Sequence, residues 1–207
     1  MPINIICFGD SITEAAEFPY EQRWPTLLQA QLDALWPDGF MVLNRGVGGN
    51  TSAQGFDRFA LDVLPFLPGI LLLEFGLNDA NVRDWARVPR VGVDEFRKNL
   101  REFQRLALHH GGQCVFVINH LLGDVVGQQG NNAGFRDNLA PYNAALRELA
   151  VTLNTPYIDL PSLMISQNID TDAMLAADQL HLSAEGNRHY ADMILAGLRS
   201  TVLAVTG

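Results

Sequence analysis

The chain has 207 residues, 48% hydrophobic and 18% charged, with 14 basic against 23 acidic side chains and a formal net charge of −9. This composition is typical of a globular protein and excludes intrinsic disorder. The acidic balance also argues against a nucleic-acid partner, since nucleic-acid surfaces need a basic cluster. No apolar run approaches the roughly 18 residues of a membrane span. We expect one domain over residues 1–207, located in the cytoplasm because no basic leader precedes the first strand.

Apolar runs of strand length alternate with segments of helical period along the chain. The predicted strands are Ile3–Phe8, Phe40–Leu43, Ile70–Phe75, Cys114–Ile118 and Pro156–Ile158, and the predicted helices are residues 22–36, 93–110, 139–152 and 184–203. Strands without polar alternation are typical of a sheet that is covered on both faces. The pattern therefore predicts an α/β fold, a three-layer α/β/α sandwich around a five-stranded parallel sheet.

Polar clusters follow the predicted strands, and another precedes the last helix. They are Gly9-Asp10-Ser11-Ile12-Thr13, residues 44–51, Gly76-Leu77-Asn78-Asp79, Asn119-His120 and Asp178-Gln179-Leu180-His181. Ligands of open parallel sheets bind beyond the carboxyl ends of the strands. We therefore expect these clusters to meet at one edge of the sheet.

Ser11 lies directly after the first strand, where a serine is often only a helix N-cap. Its hydroxyl is a weak nucleophile unless a base removes its proton. Of the five histidines, His181 has a carboxylate, Asp178, on the same short stretch. That carboxylate can hold Nδ1–H of the ring and leave Nε2 for the serine. An Asp-x-x-His pair also occurs in metal sites, but no further ligand pattern near it favours a metal.

Acyl transfer also needs hydrogen-bond donors at the developing oxyanion. Gly49 offers a backbone N–H without a Cβ in the way, Asn78 offers its side-chain amide, and Ser11 offers its own N–H. Each of these residues has a plainer interpretation as a turn or cap. Taken together, they are compatible with an oxyanion hole.

Four segments resemble the blocks of the SGNH or GDSL hydrolase superfamily, in order and in approximate spacing. They are Gly9-Asp10-Ser11-Ile12, with isoleucine in place of the usual leucine, Gly48-Gly49-Asn50-Thr51, Gly76-Leu77-Asn78-Asp79, and Asp178-Gln179-Leu180-His181. The resemblance extends over residues 3 to 190. Asn50 departs from it, because many relatives carry an acid there.

The resemblance implies a flavodoxin-like fold and serine-dependent hydrolysis of esters or thioesters. It implies that Ser11 is the nucleophile, His181 the general base and acid, and Asp178 the residue that orients His181. The oxyanion hole would consist of the Ser11 and Gly49 N–H groups and the Asn78 amide. It implies neither a metal nor an organic cofactor.

Substrate selection is expected in the loops 14–21, 77–92 and 120–136, which follow the strand ends. Leu77 and Trp85 are candidates for an apolar wall, and His120 for a polar contact. We expect a small-molecule ester substrate, with short-acyl or aryl esters favoured. A carbohydrate O-deacetylase and a thioesterase or lysophospholipase are alternative enzymes, and a non-catalytic binding module is the alternative from another class.

Two properties stay open at the level of sequence. Glu74 interrupts an apolar strand, and a buried carboxylate there needs a partner that the sequence does not name. The sequence leaves the oligomeric state open as well.

Overall fold

The computed structural model describes residues 1–125 and 127–205, so Val126 in the predicted loop 120–136 and residues 206–207 lie outside the described residues. A five-stranded, all-parallel sheet has the order β2-β1-β3-β4-β5. This order is that of flavodoxin-like, doubly wound folds, which confirms the predicted sheet. The strands are β1 (Ile3–Gly9), β2 (Phe40–Gly46), β3 (Gly69–Glu74), β4 (Gln113–Ile118) and β5 (Tyr157–Asp159).

Helices cover both faces of the sheet. In chain order they are α1 (Ser11–Glu14), α2 (Trp24–Leu35), α3 (Ser52–Asp62), α4 (Leu77–Ala80), α5 (Val93–His109), α6 (Phe135–Thr152), α7 (Leu160–Ser166), α8 (Thr171–Met174) and α9 (Ala184–Val205). Helices α2 and α9 pack together on one face, whereas α3, α5 and α6 pack side by side on the other. The three-layer α/β/α architecture is therefore confirmed. Among the described residues, no helix combines the length and apolarity needed to cross a membrane.

Some boundaries differ from the prediction. Strand β2 continues to Gly46 because its polar end pairs with β1. Helix α6 begins at Phe135 rather than at residue 139, and Phe135 itself is buried. The predicted loop 77–92 begins with the short helix α4. These segments lack a continuous apolar pattern, so their structure depends on tertiary contacts that a local window does not contain.

An aromatic cluster supports the strands that carry the polar segments. The rings of Phe8, Phe59, Phe75 and Phe103 pack with centroids 5.2 to 6.0 Å apart. Such rings bury large areas and pack in specific geometries. The end of β1 is therefore anchored in the core immediately before its polar residues begin.

Candidate active site

The predicted polar clusters do meet at the carboxyl edge of the sheet. Gly9, at the end of β1, is flanked by Gly46 on β2 and Glu74 on β3. The segments that leave these three strands therefore start side by side. This juxtaposition follows from the parallel register and brings the segments that carry Ser11, Gly49 and Asn78 to the same edge of the sheet.

Ser11 is the first residue of α1, and the preceding residue fixes its backbone. The Asp10 side chain caps this helix by accepting a hydrogen bond from the Ile12 N–H at 3.0 Å. Asp10 is fully buried. An aspartate cap of this kind satisfies an N–H that would otherwise have no intrahelical partner. Ser11 is thus held at a defined strand-to-helix turn.

A chain of hydrogen bonds joins Ser11, His181 and Asp178. Ser11 Oγ lies 3.0 Å from His181 Nε2, and His181 Nδ1 lies 2.6 Å from Asp178 Oδ2. An ionised carboxylate only accepts hydrogen bonds, so Nδ1 carries the proton in the neutral ring. Nε2 is then the atom with a free lone pair, and it faces the serine hydroxyl.

Asp178 also organises the backbone around His181. Its Oδ1 accepts hydrogen bonds from the N–H groups of Leu180 and His181 at 3.0 and 2.9 Å. Partial burial raises the pKa of Asp178, but the bonds from His181 and Leu180 outweigh it and leave the pKa below its usual value. The carboxylate is therefore ionised at neutral pH and available to the imidazole.

His181 lies in the turn that connects α8 to α9, and short-range hydrogen bonds hold this turn closed. Ala176 N–H donates to the His181 carbonyl at 2.7 Å, and Ser183 N–H donates to the Met174 carbonyl at 2.9 Å. Ser183 Oγ donates to the Ala173 carbonyl at 2.6 Å. These bonds fix the position of the His181 backbone independently of the bond between the ring and Ser11.

The Asn78 amide is held from both of its ends. Its Nδ2 donates to Asp10 Oδ2 at 3.1 Å, and its Oδ1 accepts from Arg90 Nη1 at 2.9 Å. These partners determine the orientation of the amide, because a carboxylate needs the NH₂ group and a guanidinium needs the oxygen. No pattern in the sequence indicates that Asp10 and Arg90 are the partners of Asn78. Asp10 stands next to the candidate nucleophile, whereas nothing local distinguishes Arg90 from the neighbouring arginines.

The glycine turn after β2 approaches Ser11 closely. A Cβ built on Gly48 would lie 3.9 Å from Ser11 Cβ, and Gly48 N–H donates to Glu14 Oε2 at 2.6 Å. Gly49 has a φ of +76°, a conformation that favours glycine, and a Cβ built there would meet no atom within 4 Å. The backbone of this glycine turn therefore lies beside Ser11, and no described side chain covers it at Gly49.

Asp79, which follows Asn78, ties the segment after β3 to the start of α3. Its carboxylate accepts hydrogen bonds from Ser52 N–H at 3.0 and 3.1 Å and from Ser52 Oγ. Burial raises the pKa of Asp79 to about 6, although the bonds from Ser52 oppose the shift. This contact holds the backbone on which Asn78 lies.

The structure places the three predicted substrate contacts in different environments. Leu77 is buried in the core, so as positioned it offers no surface to a substrate. Trp85 is 85% exposed. His120 is buried, and its Nε2 lies 2.9 Å from the Leu180 carbonyl. The substrate roles of all three residues stay predictions.

Three cavities adjoin this edge of the sheet. A cavity of about 10 Å³ is lined by Ser11 and His181 together with the 12–18 segment. A polar cavity of about 480 Å³ lies between the 81–85 segment and Val125, residues 127–129 and Phe135. An apolar cavity of about 460 Å³ is lined by His120, its neighbouring leucines and α6. Within the described ranges, no cluster of three or more potential metal ligands is present.

The chain is similar in sequence to two curated proteins and in structure to a solved esterase. YqeF, an uncharacterized lipoprotein of Bacillus subtilis, is 33% identical over 178 residues, which cover 75% of this chain and 70% of YqeF. The isoamyl acetate-hydrolyzing esterase 1 homolog of Rattus norvegicus is 29% identical, over 89% of this chain and 76% of that protein. The crystal structure of the acetyl xylan esterase AlAXEase superposes with a TM-score of 0.78 at 25% identity, and covers 95% of this chain and 100% of that one.

The family comparison covers most of the chain. The family model of the GDSL-like lipase/acylhydrolase family matches residues 7–189, a range that includes every segment of the candidate site. Because this match extends over far more than half of the sequence, the chain belongs to the GDSL-like lipase/acylhydrolase family.

Proposed function

We propose that this protein hydrolyses carboxylic esters through an acyl intermediate on Ser11. The observation that carries the proposal is the hydrogen-bonded series from Ser11 through His181 to Asp178, at 3.0 and 2.6 Å. Nucleophile, base and orienting carboxylate are recognised by this geometry rather than by sequence position. Membership of an acylhydrolase family agrees with the assignment.

The proposed reaction has two steps. Ser11 Oγ attacks the ester carbonyl as its proton passes to His181 Nε2, which then protonates the departing alcohol. Water, deprotonated by the same nitrogen, attacks the acyl-Ser11 ester and releases the acid, and the proton returns to Ser11. We assign stabilisation of the oxyanion in both steps to the N–H groups of Ser11 and Gly49 and to the Asn78 amide.

A fluorophosphonate probe followed by intact-protein mass spectrometry tests this assignment. We expect one adduct on the unaltered protein and none on Ser11→Ala. Ser166→Ala is the matched control, because Ser166 is an exposed serine at the end of α7. An adduct on Ser11→Ala, or no adduct on the folded unaltered protein, contradicts the proposal. The second outcome favours a binding module.

For the substrate we propose short-acyl or aryl esters. The relative from Rattus norvegicus is named for the hydrolysis of isoamyl acetate, which has a two-carbon acyl group. Rates on aryl esters of increasing acyl length test this choice, and we expect kcat/KM to be highest for the shortest chains. A maximum at long-chain esters or acyl thioesters would instead favour the lysophospholipase or thioesterase alternative.

A carbohydrate O-deacetylase is the second candidate, and one surface feature favours it. Trp85 is 85% exposed at the polar cavity of about 480 Å³, beside the amides of Asn81 and Gln129. An exposed indole next to amides presents an apolar face and polar groups together, as sugar rings require. The structural neighbour AlAXEase is named an acetyl xylan esterase.

Acetate release from acetylated xylo-oligosaccharides separates the two candidates. If a sugar stacks on the indole, Trp85→Ala raises KM for the oligosaccharide but not for an aryl acetate. Tyr157→Ala is the matched control, because Tyr157 is an exposed aromatic residue at the opposite edge of the sheet, where β5 begins. No acetate release at high enzyme concentration, or equal effects of both substitutions, removes the deacetylase candidate.

We keep the cytoplasm as the proposed location, although the relative YqeF is named a lipoprotein. Cell fractionation followed by an activity assay tests it. Activity in the soluble fraction of lysed cells agrees with the proposal, and activity retained by membranes contradicts it.

A further inference from the structure

Two carboxyl groups lie together beneath the candidate nucleophile. Asp10 follows β1 and Glu74 ends β3, and these strands are neighbours in the sheet. The side chains are 0% and 2% exposed, and the two carboxyl groups are close enough that each shifts the pKa of the other. A hydrogen bond between two carboxyl groups needs a proton on one of them, because two carboxylates have only acceptors. Two carboxylates this close and this deeply buried repel each other, so one member of the pair keeps a proton.

The remaining contacts indicate which member holds the proton. Asp10 accepts hydrogen bonds at both oxygens, from the Ile12 N–H at 3.0 Å and from Asn78 Nδ2 at 3.1 Å. Glu74 Oε2 accepts a hydrogen bond from Thr13 Oγ1 at 3.0 Å, and the Asp10 N–H has a smaller effect that also lowers the pKa of Glu74, but Oε1 has no hydrogen-bond partner among the described groups. Donors stabilise the charged form of a carboxyl group. Asp10 is therefore the better anion, and Glu74 Oε1 is the oxygen left to carry a proton.

The surroundings of Glu74 agree with a neutral side chain. Burial and the charge of Asp10 raise the pKa of Glu74 well above its usual value, whereas burial raises the pKa of Asp10 to about 6. The nearby Tyr190 hydroxyl on α9 is buried and has no hydrogen-bond partner among the described residues, and Cys7 on β1 is also buried. None of these neighbours supplies a positive charge to an ionised Glu74.

We propose that Glu74 is a positioning residue that keeps its proton on Oε1 and donates a hydrogen bond from this O–H to Asp10. Asp10 in turn holds the Asn78 amide and caps the helix that begins with Ser11. Glu74 touches no reacting atom, and acts by fixing the carboxylate on which two parts of the site depend. The inference rests on the proposed function, because it assigns Asn78 and Ser11 their catalytic roles.

Two substitutions test the positioning role. Glu74→Gln replaces the proton donor by an amide of the same shape, which can still donate to Asp10 and accept from Thr13. We expect its kcat to stay within about threefold of the unaltered enzyme. Glu74→Leu fills the space but removes the donor, and we expect kcat to fall about 10- to 100-fold with little change in KM. Rescue by glutamine and a selective loss of kcat are not expected of a merely structural residue.

Infrared spectroscopy tests the proton itself. At neutral pH the folded enzyme is expected to show the carbonyl band of a protonated carboxyl group, and Glu74→Gln to lack it. This measurement needs no turnover, so failure of the inference can be distinguished from failure of the proposed function, in which the unaltered protein neither hydrolyses esters nor reacts with the fluorophosphonate.

Several results would overturn the inference. They are the absence of the band from the unaltered enzyme, a loss of more than tenfold in kcat for Glu74→Gln, and unchanged kcat in a folded Glu74→Leu. If Glu74→Leu does not fold, the infrared band and the kcat of Glu74→Gln decide. An amide is a poor substitute for an ionised carboxylate, so a large loss of kcat in Glu74→Gln would indicate that Glu74 is ionised.

Discussion

His120 makes the stability of this protein depend on pH in a way that one substitution can isolate. The ring is 1% exposed, its Nε2 lies 2.9 Å from the Leu180 carbonyl, and its Nδ1 has no partner among the described residues. Burial, with a smaller contribution from the charge of His181, lowers the pKa of His120 from 6.5 to about 4 although the bond to Leu180 opposes the shift. The folded protein therefore holds this ring in its neutral form.

The sign and size of the effect follow from that shift. Between pH 6.5 and 4 the unfolded chain binds a proton that the folded protein excludes, so stability falls as the pH falls through this window. The loss attributable to His120 is about 2 kcal/mol at pH 5 and reaches about 3 kcal/mol below pH 4. In a chain of this length, about 2 kcal/mol corresponds to a shift of about 4 to 8 °C in Tm.

His120→Gln removes the titration but keeps a side-chain N–H that can reach the Leu180 carbonyl. Urea unfolding of both proteins at pH 7.5 and pH 5 measures the difference in their free energies of unfolding. We expect this difference to move by about 2 kcal/mol in favour of the variant at pH 5. Buried carboxyl groups such as Asp79 shift stability in the opposite direction, but they are common to both proteins and cancel. A difference that does not change with pH would refute the reasoning.

Three further results are expected. Asn78→Ala lowers kcat about 10²- to 10³-fold with little change in KM, because it removes an oxyanion donor; unchanged kcat would exclude that role. Asp178→Asn lowers kcat about 10⁴-fold in steady-state assays, and His181→Ala lowers it further, because Asp178 orients the base without transferring a proton. Equal losses of kcat in the two variants would contradict this. Gly55→Ala destabilises the fold by about 1 to 3 kcal/mol in urea unfolding, because its Cβ would lie 2.6 Å from Phe75 Cζ; unchanged stability would mean that the ring moves freely.

The sheet was predictable because its central strands are apolar without interruption. Ile70–Phe75 and Cys114–Ile118 contain almost no polar residues, and such runs indicate buried strands wherever they occur. Helix α3 was not predicted, although Thr51 and Gln54 form a capping box at its start, which a search for that pattern would have found. Its buried residues are Ser52, Gly55 and Phe59, so only one of them is a large apolar side chain.

The candidate triad was predictable from the sequence, whereas the partners of Asn78 and Glu74 were not. Ser11 directly follows a recognisable strand, Asp178 and His181 shortly precede a recognisable helix, and local spacing relates the carboxylate to the histidine. The partners of Asn78 depend on how the chain folds back after β3, so no local pattern joins Arg90 to it. The contact between Glu74 and Thr13 likewise links the end of β3 to α1, which only the sheet order brings together.

The distance along the chain between the two central residues of the site has a consequence during protein synthesis. Ser11 and His181 are separated by 170 positions. A ribosome therefore exposes the serine long before the histidine, and during that interval the hydroxyl has no base to activate it. The nascent chain is thus inert toward esters, and the enzyme becomes reactive only when its late segment has emerged and docked onto the sheet.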